Sequence, residues 1–70
     1  MLSAGDLEQV LEAGGDLRVR GLSERALVQL AAVARQSGSK IEIAAEHLSP
    51  DIMIKIAKSA AGHVLFDLTQ

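Results

Sequence analysis

Apolar residues recur along this chain in two alternating rhythms. Leu7, Val10 and Leu11 stand at the spacing of one helix face. Leu17 and Val19 then alternate with Arg18 and Arg20, as in a strand with one buried side. Both rhythms return twice. Leu27, Leu30, Ala31 and Ala34 form a second helical stripe, followed by Ile41 and Ile43 alternating with polar residues. Ile52, Met53, Ile56, Ala57 and Ala60 form a third, with Ile54 set off on a flank. Val64, Phe66 and Leu68 then share the inner face of a last strand over 63–68.

Punctuation agrees with the pattern. A Leu-Ser pair opens each helical stretch, at Leu2-Ser3, Leu22-Ser23 and Leu48-Ser49. The serine hydroxyls can accept from first-turn N–H groups that have no helical partner. Asp6 completes a capping box with Ser3, and Leu2 and Leu7 stand at the spacing of a hydrophobic staple. Pro50 suits the first position of the third helix. Gly14, Gly38 and Gly62 are the predicted stops. These signals divide one domain, 1–70, into helix–strand units 2–21, 22–47 and 48–70.

Strands separated by a helix are normally parallel and joined by right-handed crossovers. A sheet covered on both faces would carry nearly continuous apolar strands. The first two strands here are apolar on one face only. The predicted fold is therefore α/β: a two-layer stack, in effect a short solenoid, with a three-stranded parallel sheet and all helices on one face.

The middle unit, Ile41-x-Ile43-x-x-Glu46-x-Leu48 followed by a helix, resembles the leucine-rich repeat of the ribonuclease-inhibitor type. Residues 26–38 are similar to that family's repeat helix. Glu46 stands where the family's repeat has asparagine, and the turn after the first strand is two residues shorter. The resemblance spans about 50 residues of the 70 and implies binding rather than catalysis.

Composition narrows the function. With 49% apolar and 23% charged residues the chain is built to fold, yet Phe66 is its one aromatic residue. A domain this small buries only about 60% of its unfolded surface and usually needs a staple or a partner. The absence of cysteine removes disulfides and thiolate metal sites from the choices, leaving oligomerisation. It also suits a reducing cytoplasm, the expected location, as does the lack of a signal-peptide pattern. A net charge of −2 without a basic stripe or stacking aromatics argues against nucleic acid. No apolar run approaches a membrane span.

Candidate chemistry is sparse. His47 with Asp51, and His63 with Asp67, are the pairs that suggest a metal or a proton relay. Asp51 is accounted for by the helix dipole. His63 and Asp67 are about 13 Å apart along a strand, too far to share a proton. Ser3, Ser23 and Ser49 read as caps rather than nucleophiles, and Gly14-Gly15 lacks the spacing of a phosphate loop. No catalytic residue, cofactor or metal is expected.

The outer face of the sheet says more. With Leu17, Ile41 and Val64 in one inward row, the outward rows read Asp16–Lys40–His63, Arg18–Glu42–Leu65 and Arg20–Ala44–Asp67. Opposite charges then meet across the first two strands. Two sheet edges are left, neither containing a proline nor followed by an evident cap. The expectation is a non-enzymatic structural protein that stacks head to tail on further copies of itself, as a filament or ring. Its interface would comprise Asp16, Arg18, Arg20, His63, Leu65 and Asp67, with His63 beside Asp16, Leu65 beside Arg18 and Asp67 beside Arg20. The alternative is an adaptor, inhibitor or antitoxin-like module that offers a sheet edge or the outer sheet face to another protein.

Overall fold

The computed structural model describes residues 3–69. The chain runs α1 (Ala4–Glu12), β1 (Leu17–Val19), α2 (Glu24–Ser37), β2 (Ile41–Ala44), α3 (Pro50–Ser59), β3 (Val64–Asp67). The strands form one parallel sheet in the order β1-β2-β3. Leu17 is level with Ile41, and Ile41 with Val64, the register that the alternation predicts. Val19, Ile41 and Ile43 are buried beneath the helices, with Leu17, Val64 and Phe66 packed against the same core. Arg18 and Leu65, on the other face, are exposed. α2 is packed against both α1 and α3. None of the described helices is long and apolar enough to cross a membrane.

All three serine caps form. Ser3, Ser23 and Ser49 accept from the N–H groups of Asp6, Ala26 and Ile52 at 3.2, 3.2 and 3.3 Å. Asp6 returns the bond, accepting from the Ser3 N–H at 2.9 Å, so α1 carries the full capping box. Leu2, the expected staple partner of Leu7, lies outside the described residues. α2 ends on Gly38 in the left-handed conformation, as predicted. α1 also stops on its glycine: past the cap residue Ala13, Gly14 is left-handed at φ +94°, and the N–H groups of Gly14 and Gly15 donate to the carbonyls of Leu11 and Val10, both at 3.0 Å. The third stop differs, for α3 ends at Ser59, three residues before Gly62, which instead turns the chain toward β3 at φ +83°.

The predicted stripes are buried unevenly. All four residues of the α2 stripe are buried. On α1, Leu11 is buried but Val10 is 40% exposed. On α3, Ile56 and Ala60 are buried, Ile52 and Met53 half-buried, and Ala57 exposed. Leu68 was expected on the inner face. It lies past the end of β3 and is 71% exposed. Phe66 is only half-buried, because β3 is an edge strand under the last helix; the largest fully buried side chains are Leu11, Leu30, Ile41, Ile43 and Ile56.

Candidate interface at the sheet edges

The six residues expected at an interface fall on or beside the two outer strands, and the structure gives five of them partners within the chain. Arg18, in β1, pairs with Glu42 of β2, Nε to Oε2 at 2.9 Å, as the outward row predicts. Asp16 does meet Lys40, but through the backbone. Its Oδ1 accepts from the Lys40 N–H at 3.0 Å, and the Lys40 ammonium takes no part. The reason is local: β1 begins only at Leu17, so the N–H of Lys40 lacks a strand carbonyl and the carboxylate supplies the acceptor.

Arg20, just past β1, pairs with Glu46 in the β2–α3 loop at 2.8 Å. The outward rows placed Ala44 there and did not suggest this bond. Asp67 ends β3 by turning back on the chain, its Oδ1 accepting from the N–H of Thr69 at 2.9 Å and from the Thr69 hydroxyl. The hydroxyl and then the amide hold the Asp67 carboxyl below the usual aspartate range, with smaller help from Arg18 and Arg20.

His63 is held by a group that periodicity does not reveal. Its Nδ1–H donates to the carbonyl of Ser39 at 2.9 Å. Ser39 is itself buried, and its hydroxyl donates to the carbonyl of Leu11 at 2.7 Å. One residue in the α2–β2 turn thus ties the end of α1 to the start of β3. The only signal for it was a serine beside a helix-stopping glycine, which reads equally well as a turn. Leu65 has no such anchor and is 61% exposed on the outer face.

The pairs considered for acid–base or metal chemistry are not drawn together. His63 is bonded to Ser39 and Asp67 to Thr69. His47 is exposed in a loop, while Asp51 sits in the first turn of α3. Among the described residues no three His, Asp or Glu side chains converge. At the carboxyl ends of β1 and β2, where α/β folds commonly seat ligands, lies a cavity of about 180 Å³. Leu22, Leu27, Ile43 and Leu48 are among its lining residues, and the two charges on it, Arg20 and Glu46, are paired with each other.

The backbone of the edges is the distinctive feature. Leu17 donates to Lys40, Ile41 to His63 and Ala45 to Asp67, at 3.1, 2.9 and 3.1 Å. In a parallel ladder alternate residues bond to opposite sides. With Leu17 and Val19 turned to β2, the N–H and C=O of Arg18 point outward from the β1 edge. With His63, Leu65 and Asp67 turned to β2, those of Val64 and Phe66 point outward from the β3 edge. Among the described residues no strand pairs with either edge. Compared with known protein families, curated proteins and solved structures, the chain matches none.

Proposed function

We propose that this chain is a non-enzymatic structural protein that assembles head to tail, the β3 edge of one copy pairing with the β1 edge of the next, in a filament or a ring. The observation that carries this reading is the phase of the two edges. Setting Val64 level with Leu17 of a neighbour repeats the internal register. The outward carbonyl of Val64 then meets the N–H of Arg18, and the N–H of Phe66 meets the Arg18 carbonyl. Each outward group finds a partner without any shift of the backbone. Leu65 comes to lie beside Arg18, whose charge is already matched by Glu42. Asp16, Arg20, His63 and Asp67 also have partners of their own. Backbone pairing and burial therefore supply the affinity, and the alternation of outward backbone groups sets the register. A cysteine-free chain of this kind fits assembly in the cytoplasm.

A second reading has its own observation. Leu65 and Leu68 are both strongly exposed next to the half-buried Phe66, an apolar margin that a different protein could cover, as an adaptor or inhibitor surface would require. The binding role implied by the likeness to leucine-rich repeats belongs to this alternative.

Arg18→Pro separates the two. Proline is tolerated where an edge N–H faces outward, so the subunit should fold, but the donor to the next copy is gone. Wild type should grow in mass with concentration by light scattering, and the variant should remain a monomer with unchanged helix content. A wild type that is monomeric at millimolar concentration contradicts self-assembly and favours the adaptor.

A further inference from the structure

Strand pairing alone makes a small joint. An interface of standard size removes about 800 Å² from each partner, about a sixth of the 4717 Å² that this chain exposes. A four-residue edge does not reach that area, whereas a strand together with its helix is of that order. A joint of standard size must therefore also use the flanks of the terminal helices.

The internal contacts calibrate those flanks. Lys55, one residue before the buried Ile56 of α3, reaches back to Glu24 of α2 at 3.5 Å. Arg35, one residue after the buried Ala34 of α2, reaches forward to the carbonyl of Ser59 in α3 at 3.4 Å. With 100° between successive residues, a residue about a quarter-turn before the centre of the buried stripe faces the preceding helix, and one about a quarter-turn after it faces the following one. Within the molecule the apolar residues Ala26 and Val33 on the α1 side of α2, and Val28 on its α3 side, are half-buried, whereas the charged Arg35 and Lys55 remain exposed.

At the two ends, where no further helix is packed among the described residues, the same positions are still apolar. Val10 precedes the anchor Leu11 of α1, with Leu7 on the same flank. Ala57 follows the anchor Ile56 of α3, with Met53 one turn back on that flank and Ile54, 52% exposed, at its solvent margin. The charged residues of α3, namely Asp51, Lys55 and Lys58, all lie on the opposite side by the same rotation. On α1 the nearest charge, Asp6, is already engaged by Ser3.

We propose that these flanks are the second half of the joint. Met53 and Ala57 of one copy pack on Leu7 and Val10 of the next, so that a further copy of this chain continues both layers at once. The inference rests on the head-to-tail reading and adds a direction to it, since the two flanks differ. It accounts for Val10 and Ala57, apolar at core spacing yet uncovered, and it makes the joint more apolar than the charged α2–α3 contact inside the subunit.

Two end-blocking variants test it. Val10→Arg spoils the α1 flank and leaves α3 intact; Ala57→Arg does the reverse. Each alone should lose all species above monomer in sedimentation velocity, with helix content unchanged. Mixed in equal amounts they should form a single heterodimer, because one sound α3 flank meets one sound α1 flank and both outer ends are blocked. Ala32→Arg, on the exposed side of α2, should assemble as wild type does. If either arginine variant loses its helix content, Val10→Gln and Ala57→Gln should give the same heterodimer with weaker blocking. Flank variants that assemble normally while Arg18→Pro does not would overturn the helix joint and leave edge pairing standing. Val10→Arg dimerising by itself would mean a symmetric α3–α3 contact and would overturn the directional joint. A wild type that never assembles would remove the head-to-tail reading and this inference with it.

Discussion

The middle unit and the two end units are written in the same pattern and folded to different degrees of burial. In the middle, every residue of the α2 stripe is buried and Ile41 and Ile43 are sealed. At the ends, Val10 and Ala57 are exposed, and Val64, Phe66 and Met53 are half-buried. The serine caps do not distinguish them, for all three helices carry one of nearly equal geometry. What differs is the number of neighbours. A unit with a helix and a strand on both sides completes its core. A unit at the end of the row exposes residues that the same pattern would bury.

The largest expected effect lies in the middle. Ile43→Ala should cost about 3–4 kcal/mol, since a fully buried site cannot collapse around the cavity. Phe66→Ala should cost roughly half as much in the isolated subunit, because part of the ring is already in water. Denaturant melts at low concentration would order the two, and a larger loss for Phe66 would mean that the end unit is as closed as the middle one.

How much of this was legible in the sequence follows from the range of each interaction. The facing of each strand was legible because alternation is strict: a slip of one residue would turn Leu17, Ile41 or Val64 away from the core. Caps were legible because they span three residues. Val10 and Ala57 were misplaced because periodicity identifies apolar positions without counting the units that cover them. Ser39 and the Arg20–Glu46 pair were missed because their partners lie 24 to 28 residues away, in turns without periodicity.

Ser39 joins all three units, and its loss is the next effect in size. Ser39→Ala removes the buried bond to Leu11 and should destabilise by about 1–2 kcal/mol. Thermal melts compared with Ser37→Ala, whose hydroxyl serves chiefly its own helix, would isolate the cross-unit part.

Smaller still are the caps. Ser23→Ala and Ser49→Ala should each cost about 1 kcal/mol, and Ser3→Ala a similar amount, as half of a capping box. Near-zero losses at all three would contradict the equivalence of the units.

The smallest effect is acidic. The N–H and then the hydroxyl of Ser3 hold the Asp6 carboxyl below its ordinary value of 3.8, and Thr69 does the same for Asp67. A lowered carboxyl contributes stability that is complete above the unfolded value and is lost as pH falls through the folded one. Melting temperature should therefore be flat near neutrality and decline below about pH 4. Asp6→Asn should show a shallower decline. An equal decline in variant and wild type would show that the capping box carries none of it.

The central claim is that the ends of this molecule await further copies of it, and amide hydrogen exchange at two concentrations tests that residue by residue. The N–H groups of Arg18, Val64 and Phe66, which point away from the sheet, should exchange fast in dilute solution and slow markedly as concentration rises. Those of Leu17 and Ile41, already bonded within the subunit, should hardly change. Outward amides that exchange equally fast at both concentrations would contradict the account.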